Sequence, residues 1–123
     1  MKKRRLLIVD DESGFTRTVA AVVGSSFEVF EALDGRSGLE AAKRNLPQVI
    51  LLNVMMAEMS GLAMLRQLQM DHRTRHIPVV LLAPQHFNVS TLEMFRQEIN
   101  VRACLRKPCQ AQSLACEIGK AAA

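Results

Sequence analysis

The feature that most constrains the fold is an alternation, repeated five times, of a short strand-like run and a stretch with helical spacing. The apolar runs lie at residues 5–9, 49–53, 79–82 and 103–105, and most of them are rich in Leu, Ile and Val, whereas residues 27–33 alternate as a strand. Runs of this kind are typical of strands that are buried on both faces of a sheet. Because parallel strands need crossover helices, the pattern predicts a doubly wound α/β sheet with five parallel strands and helices on both faces.

The helices between these strands are predicted from apolar spacing and from residues that can cap a helix. Ser13 and Ser60 stand where the first and third helices should begin, and a serine hydroxyl there can accept a hydrogen bond from a free backbone N–H. The fourth helix is predicted from Leu92, Phe95 and Ile99, which are spaced i, i+3 and i+7 and should form one buried stripe.

Length and composition are those of one soluble globular domain. The 123 residues are 49% apolar and 23% charged, and no apolar run approaches the roughly 20 residues that cross a bilayer. The basic residues 2–5 precede an apolar run that is far too short for a signal peptide. We therefore expect a cytoplasmic domain spanning residues 1–123. Its alanine-rich end is compatible with a natural terminus or with the cut edge of a longer protein.

The net charge of +4 comes from the basic tetrad Lys2-Lys3-Arg4-Arg5, because the remaining chain has 16 − 4 = 12 basic and 12 acidic residues. Such a tetrad can contact nucleic acid or acidic lipid. Aromatic residues are scarce, however, and there is no second basic stripe and no recognition-helix pattern. We interpret the tetrad as a solvated lead-in to the first strand and expect no direct contact of this domain with nucleic acid.

The three cysteines lie in the last fifth of the chain, at Cys104, Cys109 and Cys116. Their spacing fits no zinc pattern, and the odd number argues against a closed set of disulfides. We expect free thiols in a reducing compartment. The three histidines also lack a metal-binding spacing, and we expect them to be solvated loop residues.

One polar residue, Asn53, ends the third strand, at the edge of an open α/β sheet where ligands bind. The first strand ends on the acidic pair Asp10-Asp11, and Lys107 follows the fifth. No glycine-rich loop follows the first strand, and its carboxylates would repel a phosphate unless a metal intervened. A flavin or nucleotide enzyme on this architecture is therefore disfavoured.

Five segments, in this order and spacing, resemble the receiver domain of the response regulators of bacterial two-component systems. The segments are residues 7–12, 32–39, 51–62, 77–82 and 105–108. The resemblance covers nearly the whole chain. It implies a flavodoxin-like (βα)5 fold with strand order 2-1-3-4-5 and a site at the topological switch point.

The resemblance also implies a set of site residues. In that family, two acidic residues after the first strand and an aspartate at the end of the third bind Mg²⁺, and that aspartate attacks the phosphoryl group of a kinase phosphohistidine. A Thr or Ser after the fourth strand and a Lys after the fifth bind the phosphoryl oxygens, and an aromatic residue in the fifth strand rotates inward as a switch. Asp10, Asp11 and Lys107 match this pattern.

Four positions depart from the family pattern. Asn53 stands at the phosphoacceptor position, and a carboxamide cannot form the aspartyl-phosphate that a carboxylate nucleophile forms. Ala83 lacks the hydroxyl of the Thr or Ser, and Pro84 after it should reduce the movement of the loop. Cys104 replaces the aromatic switch, and Ala57 replaces a loop proline.

These departures predict an atypical receiver, or pseudo-receiver, that is not phosphorylated at Asn53, has no catalytic residues and acts as a protein-interaction module in a phosphorelay. The alternative is a functional receiver, phosphorylated on aspartate, whose acceptor has been replaced by engineering. Phosphorylation of an Asn53→Asp variant would discriminate between them.

For cofactors, we expect none or a weakly bound Mg²⁺ held by Asp10, Asp11, the Asn53 amide oxygen and the Met55 carbonyl. We favour a metal-free arrangement in which Lys107 pairs with Asp10 or Asp11. Loss of the third carboxylate should relieve like-charge repulsion there.

The resemblance implies a partner such as a sensor histidine kinase or another signalling protein. The usual partner face is formed by helix 4, strand 5 and helix 5, here residues 92–118. We expect Arg96, Arg102, Arg106 and Cys109 to be exposed on it, and the domain to be a monomer or a weak dimer.

Overall fold

The protein folds as five alternating strands and helices; a computed structural model describes residues 3–56 and 59–123. The strands are β1 Arg4–Val9, β2 Phe27–Ala32, β3 Val49–Asn53, β4 Val79–Ala83 and β5 Val101–Arg106. The helices are α1 Ser13–Val23, α2 Gly35–Asn45, α3 Gly61–Met70, α4 Val89–Arg96 and α5 Ala111–Ala122. All the strands are parallel and pair in the order β2-β1-β3-β4-β5, which confirms the predicted flavodoxin-like topology.

The core has two layers because successive side chains of a strand point to opposite faces of the sheet. In β1, Leu7 and Val9 pack on the side covered by α2, α3 and α4, whereas Leu6 and Ile8 pack on the side of α1 and α5. All four are completely buried. This burial explains why residues 6–9 of β1 form a continuous apolar run. None of the described helices is long and apolar enough to cross a membrane.

Two of the predictions about helices are wrong and one is confirmed. The hydroxyl of Ser60 accepts a hydrogen bond from the Ala63 N–H, as a capping residue should. Ser13 is instead the first residue of α1. Ile99 is 81% exposed because α4 ends at Arg96, and the chain must turn there so that the Asn100 carbonyl can accept the N–H of Val79 at 2.8 Å.

The basic lead-in is not simply solvated. Its three described side chains donate to backbone carbonyls at helix C-termini: Lys3 to Gly24 at 2.8 Å, Arg4 to Ala122 at 3.0 Å and Arg5 to Leu46 at 3.2 Å. The helices run antiparallel to the strands, so the ends of α1, α2 and α5 lie beside the start of β1. Cations there satisfy free carbonyls and oppose the helix dipoles. Lys2 lies outside the described residues.

Gly61 begins α3 in close contact with the end of β3. A Cβ atom on Gly61 would lie 2.5 Å from the Val54 Cα and 2.7 Å from the Asn53 carbonyl oxygen, both of which are backbone atoms. The Gly61 N–H also donates to the Val54 carbonyl at 3.1 Å. The contact holds the start of α3 against the strand that carries Asn53.

We expect Gly61→Ala to lower the free energy of unfolding by about 1–3 kcal/mol, because the added methyl group must displace backbone. Gly119→Ala is the matched control, since a Cβ there meets nothing within 4 Å. It should raise the free energy of unfolding by about 0.5–1 kcal/mol through helix propensity. Urea unfolding followed by circular dichroism is suitable, because the chain has no Trp or Tyr to report by fluorescence. Equal effects of the two substitutions would contradict the close contact.

Candidate functional site

The ends of β1, β3 and β5 meet in an open cleft of about 500 Å³ at the carboxyl edge of the sheet. Asp11, Asn53, Met55 and Lys107 all line this cleft, and Asp10 is completely buried beside it. The structure therefore brings together the site residues that the sequence predicts. Glu12, Phe15 and Gln85 also line the cleft and were not predicted.

The carboxamide of Asn53 is surrounded by groups that fix its orientation. Its Nδ2 donates to the Met55 carbonyl at 3.0 Å and to Asp10 Oδ1 at 3.2 Å, and it lies 3.5 Å from Asp11 Oδ1. Its Oδ1 accepts the N–H of Met55 at 3.3 Å. Three acceptors face the nitrogen and one donor faces the oxygen, so the reverse orientation would place acceptor against acceptor. The amide thus donates to the acidic pair.

Lys107 is held by three groups around its ammonium. Its Nζ lies 2.7 Å from Asp10 Oδ2 and donates to Glu12 Oε1 at 2.8 Å. It also lies 4.4 Å from the centre of the Phe15 ring, a cation–π distance. The predicted pairing of Lys107 with Asp10 is confirmed. The contact with Glu12 was missed, although Glu12 directly follows the acidic pair in the sequence.

Burial and charge shift the pKa values of these groups in opposite directions. Burial raises the pKa of Asp10, and the hydrogen bond and charge of Lys107 only partly offset it. Lys107 lowers the pKa of Glu12, which is exposed. Burial alone would lower the pKa of Lys107, but Asp10 and Glu12 together raise it. Asp10 and Glu12 thus favour the charged form of Lys107, whereas burial opposes the ionisation of Asp10.

The donor set suits a hard cation only after a rearrangement. The carboxylates of Asp10 and Asp11 and the Met55 carbonyl are oxygen ligands of the kind that Mg²⁺ takes. The fourth predicted ligand, the Asn53 oxygen, points to the Met55 N–H, and the nitrogen faces the carboxylates instead. A cation would have to turn this amide and compete with Lys107. Among the described residues, no three His, Cys, Asp or Glu side chains form a metal-binding group.

The two other substituted positions lie on β4 and β5. Ala83 is 1% exposed at the end of β4, and its carbonyl accepts the Lys107 N–H at 2.8 Å. Cys104 pairs in register with Leu81 and is half-buried against the apolar layer under α4, where burial raises the pKa of its thiol. The Ala57 position lies outside the described residues.

The predicted partner face is only partly exposed. Arg96 and Arg102 are exposed as expected, whereas Arg106 and Cys109 are partly buried. The prediction is wrong for Arg106 because its guanidinium folds back onto the chain between β4 and α4. It is wrong for Cys109 because that side chain faces the cleft and the apolar layer under α5.

Sequence comparisons place most of the chain within one family. The family model described as the response regulator receiver domain matches residues 6–118. Response regulator PleD of Caulobacter vibrioides is 46% identical over 79 residues, which are 63% of this chain but only 17% of PleD. Protein PilH of Pseudomonas aeruginosa is 28% identical over 111 residues, which cover 89% of this chain and 90% of PilH.

Solved structures show the same fold. The chemotaxis protein CheY4 of Vibrio cholerae superposes with a TM-score of 0.86 at 22% identity, covering 97% of this chain and 98% of that one. A response regulator receiver domain protein from Clostridium thermocellum gives a TM-score of 0.85 at 26% identity, with 97% and 94% covered.

The raised pKa of Asp10 makes a prediction about stability. The folded state binds more protons than the unfolded state as the pH rises from the ordinary carboxyl pKa of 3.8, so ionised Asp10 costs stability at neutral pH. The stability of Asp10→Asn relative to the parent protein should therefore increase as the pH rises above 3.8. The increase should disappear as the pH falls towards 3.8, which urea unfolding at a series of pH values would measure.

Asp34→Asn is the control for this substitution. Asp34 caps α2 through the Ser37 N–H, which lowers the pKa of its carboxyl. Ionised Asp34 therefore stabilises the fold above its ordinary pKa, and Asn caps a helix about as well. This variant should not gain stability at pH 7. A relative stability of Asp10→Asn that falls as the pH rises above 3.8 would show that the charge of Lys107 outweighs the desolvation of Asp10.

Proposed function

The chain belongs to the response regulator receiver domain family, and within it we propose an atypical member that takes no phosphoryl group at residue 53 and signals through protein contacts. The observation that carries this proposal is the carboxamide of Asn53 and its hydrogen bonds. Its side chain lies where the resemblance puts the acceptor, yet it carries no nucleophilic carboxylate. Its hydrogen bonds to Asp10, Asp11 and Met55 supply a structural role instead.

The groups that would bind a phosphoryl group support the same proposal. Position 83 has a methyl group in place of a hydroxyl, so one hydrogen-bond donor to the phosphoryl oxygens is missing. The ammonium of Lys107 is engaged by Asp10 and Glu12.

For partners, we propose a sensor histidine kinase or another signalling protein of the phosphorelay, which binds the face of α4, β5 and α5. Arg96 and Arg102 are the exposed charged residues from the predicted set on this face. The domain itself would be a cytoplasmic binding module and not an enzyme, a monomer or weak dimer that contacts no nucleic acid. We propose that residues 1–123 form one receiver domain, which in a longer protein would act on the remaining domains.

For cofactors, we propose at most weak binding of Mg²⁺ by Asp10, Asp11, Met55 and a rotated Asn53 amide.

An aspartate at position 53 would add a third negative charge and remove the need to rotate the amide. We therefore expect Asn53→Asp to bind Mg²⁺ at least tenfold more tightly than the parent protein, since one charge–charge contact at short range is worth more than about 1.4 kcal/mol. Isothermal titration calorimetry with Mg²⁺ measures both affinities, and equal values would contradict the proposed role of the amide.

Phosphorylation tests the proposed function directly. The parent protein, Asn53→Asp and Asn53→Asp/Ala83→Thr are incubated with acetyl phosphate and Mg²⁺ and weighed by intact-mass spectrometry. The parent should gain no phosphoryl group. Asn53→Asp should gain one slowly, and the double variant about 10²-fold faster, because a hydroxyl donor aimed at the developing charge is restored.

The outcomes separate the proposal from its alternative. A parent protein that gains a phosphoryl group would overturn the proposal. Rapid labelling of Asn53→Asp alone would show that only the nucleophile is missing, and so would favour a functional receiver with a replaced acceptor. Asn53→Gln is the matched control, since it keeps a carboxamide at the position and should stay unlabelled.

A further inference from the structure

The guanidinium of Arg106, the last residue of β5, donates to backbone carbonyls. Its Nη1 donates to the Gln85 carbonyl at 2.8 Å and also to the Phe87 carbonyl. Both acceptors belong to residues 84–88, the loop that joins β4 to α4. In the described part of the chain, no carboxylate lies within ion-pair distance of Arg106. The guanidinium is thus committed to two backbone carbonyls of one loop.

The loop is fixed on both sides of this contact. On the strand side, Ala83 pairs in register with Arg106, and Pro84 next to it has a restricted φ. On the helix side, the Phe87 ring stacks on Phe95 of α4, with the ring centres 6.3 Å apart and 20° between the planes. The Phe87 N–H closes a turn onto the Pro84 carbonyl at 3.2 Å. Arg106 therefore joins the end of β5 to a loop that is packed on α4.

The same loop borders the cleft. Pro84 and Gln85 line it together with Asn53 and Lys107. The loop therefore lies between the cleft and α4. Lys107, the neighbour of Arg106, reaches into the cleft while Arg106 reaches over the loop. The Lys107 side chain thus binds the acidic residues after β1, whereas the Arg106 side chain binds the loop before α4.

We propose that Arg106 acts as a clamp that holds residues 84–88 and the first turn of α4 in one conformation, whatever occupies the cleft. The clamp explains how a receiver without a phosphoryl-dependent switch can present a constant α4 surface, and in that respect it rests on the proposed function. The two hydrogen bonds that form the clamp do not depend on phosphorylation. Hydrogen bonds from a charged donor are stronger than neutral ones, so their removal should release the loop.

Hydrogen exchange of the full chain, resolved by residue with NMR, tests the clamp. Arg106→Met keeps the length of the side chain and removes its donors, so the hydrogen-bonded amides of Phe87, Thr91 and Leu92 should exchange about tenfold faster than in the parent protein. Amides of β3 should keep their rates, because only local opening is affected. Arg102→Met is the matched control on the same strand: Arg102 is exposed and donates only to the nearby Ile99 carbonyl.

The outcomes are distinct. Faster exchange confined to Phe87, Thr91 and Leu92 in Arg106→Met, and absent from Arg102→Met, supports the clamp. Unchanged exchange in Arg106→Met, or the same acceleration in both variants, overturns it. Acceleration that extends through β3 also overturns it, because Arg106 would then stabilise the whole sheet. Should Arg106→Met fail to fold, Arg106→Lys retains one donor group and should give a smaller acceleration confined to the same amides; unchanged exchange there would count against the clamp.

The hydrogen-exchange experiment tests the clamp separately from the phosphorylation experiment, which tests the proposed function. A parent protein that is phosphorylated by acetyl phosphate would overturn the proposed function and leave the exchange result intact. A loop that Arg106→Met does not release would overturn the clamp, even if residue 53 takes no phosphoryl group.

Discussion

The charge of Asp10 is completely buried, and the arrangement of the site follows from how that charge is compensated. One oxygen of Asp10 accepts hydrogen bonds from the Glu12 N–H at 3.0 Å and from the Asn53 amide at 3.2 Å, and the other faces the Lys107 ammonium at 2.7 Å. A buried carboxylate without such partners would be strongly destabilising. Asn53 and Lys107 therefore both contact Asp10, and Lys107 also contacts Glu12.

The amide at position 53 changes the balance of charge in the cleft. A third carboxylate beside Asp10 and Asp11 would repel both of them and would call for a cation. The amide supplies hydrogen-bond donors to both acidic neighbours and so removes part of that need. The cost of burying Asp10 remains, as its raised pKa indicates. Lys107 and the Asn53 amide thus compensate the Asp10 carboxyl group from within the protein, and the proposed function rests on this arrangement.

Short-range patterns predicted the alternation of strands and helices and the meeting of polar residues at one edge of the sheet, whereas the strand order came from the family resemblance. Strands buried on both faces give continuous apolar runs, and the polar residues that end them, such as Asp10 and Asn53, must meet at one edge of a parallel sheet. Apart from the pairing of Lys107 with Asp10, contacts that depend on the direction of long side chains were not predicted. Arg106 and the basic lead-in both reach backbone carbonyls of distant segments, which leave no trace in local spacing. Ile99 continues the helical spacing of Leu92 and Phe95, but it lies beyond the end of α4. The helix ends earlier because the Asn100 carbonyl accepts a hydrogen bond from the N–H of Val79 in β4.

The ¹H–¹⁵N spectrum of the Asn53 side-chain amide tests the central claim most directly. It would be recorded at neutral pH, before and after addition of acetyl phosphate and Mg²⁺ at a concentration that saturates the Asn53→Asp variant. The account predicts two resolved, slowly exchanging N–H signals that keep their positions, because the amide stays bound to Asp10 and Met55. Loss or large displacement of these signals would show that the amide gives way to a ligand, and would contradict the account.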